Sequence, residues 1–300
     1  MPILYRPARE EDLERSDRLV MASINDLTQR HGFGPMASAH PPEFQLFSLK
    51  DDADGLWVAE EAGETVGFAW SWVCGHLWFL AQLFVSPDHQ GRNIGNELLK
   101  RTFEHAKKSG AANRALITFT FNTVSQGLYI RNGLFPRFPI YNFSVSRELL
   151  RSRLQGPQFR AVALEETASD LQKLANIDVQ VLGVSREKHH HYLLNDRTTR
   201  GVGLYSGEEC IGYSYVSIGG HIGPLAVTRP EALGSALTTA LVLAVEVGSP
   251  RVSAFLPGAS EAALRTAVEH GMRITFPMQL MSTCDFGDWR GYLPRNPGFM

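Results

Sequence analysis

The chain has 300 residues, 44% of them hydrophobic and 20% charged, with a formal net charge of -2. This composition excludes a disordered tail protein and is large enough for one big core or two ordinary ones. Its 27 Gly and 16 Pro are spread along the chain, which excludes a collagen-like repeat, and the near-neutral charge gives no reason to expect nucleic acid as a partner. In chain order, Arg9-Glu10-Glu11-Asp12-Leu13 opens a helical stretch, and a turn-rich segment runs from Arg30-His31-Gly32-Phe33 to His40-Pro41-Pro42. Glu64 to Trp70 then reads as a hairpin strand. Leu77 to Val85 is apolar on both faces except at Gln82, the pattern of a strand buried in the middle of a sheet. Ser86-Pro87-Asp88 ends it, and a polar loop, His89 to Gly95, leads into an amphipathic helix with Leu98, Leu99, Thr102 and Ala106 on one side. Arg114 to Phe121 alternates like a strand, Asn122 is a natural helix cap, and the helix that follows carries Tyr129 and stops at Asn132-Gly133.

The second half repeats these signals in order. Leu164 to Leu171 echoes the first helix start, Glu209 to Tyr215 echoes Glu64 to Trp70, and Leu225-Ala226-Val227 with Pro230 echoes Leu83-Phe84-Val85 with Pro87. Ser260, Ala263, Ala267, Gly271 and Met272 have the spacing of Asn122, Ser125, Tyr129, Gly133 and Leu134. The expectation is therefore two α/β units of one kind, 1–146 and 158–300. The joint is placed at 147–157, where charge density rises and a Gly-Pro pair breaks the pattern.

A loop opening a helix exposes several N–H groups at the positive end of the helix dipole, a ready site for phosphate oxygens. With that in view, Val85-Ser86-Pro87-Asp88-His89-Gln90-Gly91-Arg92-Asn93-Ile94-Gly95 resembles motif A of the GNAT (Gcn5-related N-acetyltransferase) superfamily, with Asn93 where the family has a middle Gly. Asn122 through Tyr129 to Gly133-Leu134 is similar to its motif B. The resemblance implies a mixed, mostly antiparallel central sheet flanked by helices in each of two tandem α/β (α+β) domains. It also implies transfer of an acetyl group, or another acyl group, from its CoA thioester to an amine; acetyl-CoA is taken as the cosubstrate, and the near-neutral charge favours a primary amine of a small-molecule acceptor over a basic protein tail. Residue by residue, the strand backbone at Leu83, Phe84 and Val85 maps to the groups that hold the pantetheine arm. The amides of Gln90, Gly91, Arg92, Asn93, Ile94, Gly95 and Asn96 map to those that hold the pyrophosphate. Asn122 maps to a residue that steadies the pantetheine, and Tyr129 to the general acid that protonates the leaving thiolate.

No carboxylate lies between Leu77 and Val85, so the base is open between His76, His31 and ordered water. His31, Phe33, Trp72 and Gln82 are the candidate acceptor contacts, with Trp57, Trp70, Trp72 and Trp78 crowding the neighbouring strands. In the second half the loop from Val227 to Gly234 is short and carries Glu231, Ser260 stands for the Asn, and Ala267 stands for the Tyr. That half resembles a degenerate GNAT domain, and Ile222-Gly223-Pro224-Leu225 is similar to second domains of YitH-like tandem acetyltransferases. Lys188-His189-His190-His191 reads as a solvated helix face, because consecutive helical residues point apart. Cys74, Cys210 and Cys284 have no metal-ligand or disulfide spacing, so no metal is expected and a reducing cytoplasm fits. Met1 to Arg9 has no apolar leader and no apolar run approaches the ~20 residues of a membrane helix. A monomer or homodimer without membrane contact is the expectation, and the alternative function is a CoA-binding sensor without turnover.

Overall fold

The computed structural model describes residues 2–300 and divides into two units, the first running to Phe135 and including Met281–Cys284, the second Pro136–Leu280 with Asp285–Met300. The first contains β1 (Leu4–Pro7), α1 (Leu13–Arg30), α2 (Glu43–Asp51), β2 (Leu56–Glu61), β3 (Glu64–Cys74), β4 (Leu77–Val85), α3 (Ile94–Lys108), β5 (Asn113–Phe119) and α4 (Thr123–Arg131). Strands β1 to β4 pair antiparallel in sequence order, and β5 joins β4 in parallel. The stretch Met281–Cys284 lies beyond β5, where the Thr283 N–H donates to the Arg114 carbonyl at 2.9 Å. The amphipathic helix expected after the polar loop is α3. Its Ile94 and Leu98 pack on Ala59, Val66 and Ala69 of the sheet, each large side chain contributing roughly 1.5–3 kcal/mol by leaving water.

The second unit is built from β6 (Phe135–Ser146), α5 (Arg147–Arg153), β7 (Arg160–Ala163), α6 (Ala168–Leu182), α7 (Glu187–Asn195), β8 (Thr199–Ser206) and β9 (Glu209–Ser217). It continues through β10 (His221–Val227), α8 (Leu233–Glu246), β11 (Arg251–Pro257), α9 (Glu261–Glu269), β12 (Arg273–Ser282) and β13 (Tyr292–Leu293). Strands β7 to β10 pair antiparallel in order, β11 joins β10 in parallel, and β6 pairs antiparallel with β11. Within each unit the strand pairing is thus mixed and mostly antiparallel, with helices flanking it.

The repeat read from sequence coincides with structural equivalents down to single hydrogen bonds. The Asn122 Oδ1 accepts from the Ser125 N–H at 3.2 Å and the Ser260 Oγ from the Ala263 N–H at 3.3 Å, each capping its helix. At the other ends, Leu134 N–H donates to Tyr129 O at 3.0 Å and Met272 N–H to Ala267 O at 2.9 Å. Gly133 and Gly271 supply the left-handed turn between, at φ 81° and 82°.

Two expectations change. The chain leaves the first unit at Phe135, ahead of the joint placed at 147–157. That stretch carries α5, capped by Ser146, with Leu150 fully buried in the second unit's core and Arg147 N–H bonded to Pro250 O at 2.9 Å. The charges that suggested a linker, at Arg151 and Arg153, belong to its exposed outer side. The His run is not a solvated face either, since His189 and His190 are each 1% exposed. His190 bonds Tyr215 Oη at 2.9 Å and Asp178 at 3.0 Å, inside a buried cluster where Arg186 pairs with the same carboxylate at 2.9 Å. Only His191 points outward, to Glu166.

Candidate active site in the first unit

Strands β4 and β5 pair for four residues, Leu77↔Asn113 to Leu80↔Leu116. Pairing then stops, although β4 runs on to Val85 and β5 to Phe119. The cause lies in β4 itself. Against β3, Ser71 faces Leu80 but Trp70 faces Gln82, so Ala81 is an extra residue that bends the strand away from its neighbour. The β5-facing backbone edge of Gln82 to Val85 therefore lacks a strand partner, and unspent backbone groups inside a sheet call for a ligand or water. Leu83, Phe84 and Val85, the expected pantetheine contacts, lie along this edge.

Beyond it the chain makes a short 3-10 turn, Pro87–His89, and reaches Asn93, which takes the left-handed conformation at φ 64° and caps α3 without a side-chain bond. Asn in place of the family's Gly thus keeps the turn. The first intrahelical bond runs from the Glu97 N–H to Asn93 O at 3.2 Å, so the N–H groups of Ile94, Gly95 and Asn96 point out of the helix start, where the dipole favours an anion. Gln90 folds its amide back toward Val85 O at 3.4 Å. Gly91 has a positive φ of 80°. The Arg92 guanidinium makes a bidentate pair with Glu61 at 2.7 and 2.9 Å, and the His89 Nε2 stands 3.2 Å from the same carboxylate. Arg92 holds the Glu61 carboxyl down at about 2. Glu61 was not visible as a site residue because it lies 31 positions upstream, at the β2–β3 turn.

Tyr129 reaches the same region from α4. It is 5% exposed and packs with Leu80, Leu99 and Leu116, and its hydroxyl bonds the Ser125 side chain, which only partly offsets a burial that pushes the phenol well above its ordinary value. A phenol in this setting stays protonated and can donate. Asn122, four positions before Gln126, has its Oδ1 committed to the helix cap.

The acceptor candidates separate. Phe33 stacks on Phe121 at 4.8 Å and His31 lies 4.9 Å from the same ring. Gln82 stands opposite Trp70 in the strand register. Trp72, by contrast, is 0% exposed and stacked on Phe79 at 4.8 Å, a core position; alternation shows which face a strand residue takes but not how deep it lies. Trp78 is likewise core. Among the described residues no group of three or more His, Cys, Asp or Glu could hold a metal ion, and no helix is long and apolar enough to cross a membrane.

The geometry agrees with what comparison with known proteins finds. Residues 21–134 match the model of the Acetyltransferase (GNAT) family. An uncharacterized N-acetyltransferase of Methanocaldococcus jannaschii is 36% identical over 72 residues, which are 21% of this chain and 30% of that protein. Among solved structures, a Pyrococcus horikoshii protein assigned to the acetyltransferases superposes with a TM-score of 0.76 at 18% identity, covering 99% of this chain and 96% of its own. A tandem GNAT protein from the clavulanic acid biosynthesis pathway gives 0.60 at 15%, covering 94% and 98%. Residues 21–134 thus resemble the GNAT family, and the chain as a whole shares the fold of these solved structures. Its match spans under a third of the archaeal relative's length.

Proposed function

We propose that the first unit transfers an acetyl group from acetyl-CoA to the primary amine of a small-molecule acceptor. The observation that carries this reading is the unpaired edge of β4, which runs directly into the exposed N–H groups of the α3 start. Peptide-like groups of the pantetheine arm match the β5-facing edge of β4 at Leu83, Phe84 and Val85, where the Val85 carbonyl also accepts from Ser23 Oγ and Gln90 Nε2 at 3.4 Å, and the pyrophosphate matches the amides of the Gln90–Asn96 loop. The Asn122 Nδ2 is the remaining polar group of that side chain for the pantetheine.

In the transfer, the neutral amine nitrogen forms its bond to the thioester carbonyl carbon as the carbon–sulfur bond breaks. Tyr129 donates its phenolic proton to the departing thiolate, and the amine proton passes to ordered water, since β4 holds no carboxylate. His31, Phe33 and Gln82 face the acceptor. Three free cysteines suit a reducing cytoplasm, and the protein acts as a monomer or homodimer.

Calorimetry of the full chain with CoA tests the assignment: about one site per chain is expected, and two equal sites or none would overturn it. The missing strand carboxylate also suits a CoA-binding sensor without turnover. Thiol release from acetyl-CoA across an amine panel separates the two.

A further inference from the structure

The side chains that flank the separation of β4 and β5 share one chemistry. On β3, a Cβ at Gly67 would meet Leu98 at 2.9 Å and Ala69 packs with Ile94 and Leu98, so Phe68, Trp70 and Trp72 take the opposite face, away from α3. Phe44 of α2 sits edge-on to Trp70 there, 5.0 Å between centroids. Gln82 shares that face by register. On β5, Leu116 packs with Leu99 of α3, so Phe119 and Phe121 lie on the same side as Trp70. Phe119, Phe121, Phe33 and His31 form a continuous ring contact at 4.8–4.9 Å. On this face one side of the separation carries Trp70, 3% exposed beneath Phe44, and the other carries Phe119 with Phe121 and Phe33.

The residues just named offer π surface and apolar contact, which suits an aromatic ring. This face also holds two unspent polar atoms. The Trp70 Nε1 and the Gln82 Oε1 are both buried without a hydrogen-bond partner, a donor and an acceptor directly opposite each other in the strand pair. Buried polar groups of this kind call for a partner. Gln82 is half-buried as a whole and its terminal amide torsion is soft, so its carbonyl oxygen can turn to accept an N–H from an incoming amine.

Building on the transfer reading above, we propose that the acceptor is an arylalkylamine: a primary amine one or two carbons from an aromatic ring. The ring lies between Phe121 and Phe33 on one side and Trp70 on the other, and Gln82 Oε1 receives an amine hydrogen and orients the nitrogen lone pair.

The test uses 2-phenylethylamine with the full chain. Thiol release should give kcat/KM at least tenfold above spermidine, glucosamine and a lysine peptide. Phe33→Ala, on an exposed loop, should raise KM for 2-phenylethylamine about tenfold while leaving KM for acetyl-CoA within twofold, and Phe121→Leu should do the same. Preference for spermidine or the peptide, or an unmoved KM in both variants, overturns the proposal. Tryptophan fluorescence reads the same question without turnover: saturable quenching by 2-phenylethylamine that weakens in Phe33→Ala supports it, and absence of quenching overturns it. CoA calorimetry is run beside it, so failure of the cosubstrate reading shows as lost CoA binding with quenching retained.

Discussion

The two units diverge at one place, the gap between their parallel strands. In the first, β4 and β5 part after Leu80 and Leu116 and no strand pairs the β5-facing edge of β4 beyond that point. In the second, β10 and β11 pair only at His221↔Ser253 and Ile222↔Ala254 and also part, beside a register shift that matches the one in β4. Here the gap is filled. Strand β13 pairs antiparallel with β10 at Leu225↔Leu293 and Ala226↔Tyr292 and lies against β11, and the Val227 N–H donates to Gly291 O at 2.9 Å. The Ser260 hydroxyl, at the position of Asn122, donates to Arg290 O at 3.1 Å. The chain's own strand thus takes the bonds that a ligand would make in the first unit. The buried cluster around Asp178 anchors it, with Arg186 donating to Tyr292 Oη at 2.7 Å and to the Met300 main-chain oxygen. Ala267 in place of a Tyr and the short loop therefore accompany a gap that is filled by the chain itself.

The largest expected effect lies in the open gap. Tyr129→Phe should lower turnover by roughly 10²–10⁴-fold and keep acetyl-CoA affinity within a few-fold, read by steady-state thiol release beside calorimetry. Ala267→Tyr should create no activity, because its gap is occupied. Normal turnover in Tyr129→Phe would return Tyr129 to a packing role.

Next comes the anchor of the filled gap. Burial works against ionising Asp178, but Arg186 and His190 outweigh it and hold the carboxyl below its ordinary range. Asp178→Asn leaves the Arg186 charge buried and unpaired, which should cost about 3–5 kcal/mol in denaturant unfolding. A loss below 1 kcal/mol would mean that the cluster is dispensable.

A smaller cost is expected at Gly223, whose φ is 140° and where an added Cβ would stand 2.6 Å from the Pro294 carbonyl oxygen. Gly223→Ala should destabilise the second unit by roughly 1–3 kcal/mol and speed amide exchange at Tyr292 and Leu293. Unchanged exchange would separate β13 from the stability of the gap.

The smallest effect is in pH. Burial lowers His190 and brings His221 down to about 4. Both stay neutral in the folded unit while the unfolded chain takes up protons near pH 6.5, so stability should be fully present above that pH and decline as pH falls toward 4. Thermal midpoints across that range check it, and a flat profile would show that the histidines are not coupled to folding.

The repeat, the turn that opens α3, the Asn122 cap and the helix carrying Tyr129 were legible because turn chemistry and helix spacing are local. Other features depend on what meets across the fold. The bulge at Ala81 has no residue signature. Trp72 and Trp70 are both buried, at 0% and 3% exposure, a depth that alternation does not show, and His190 is buried because Arg186, Tyr213 and Asp178 close around it. Strand β13 is two residues long, below what any periodicity can reveal, and its role exists only through the strands it joins.

Amide hydrogen exchange on the full chain, with and without CoA, tests the contrast between the two gaps most directly. CoA should slow exchange across Leu83–Val85 and Gln90–Asn96 and leave Leu225–Val227 and Gly291–Leu293 unchanged. Slowing confined to Leu225–Val227, or equal at both gaps, would contradict it.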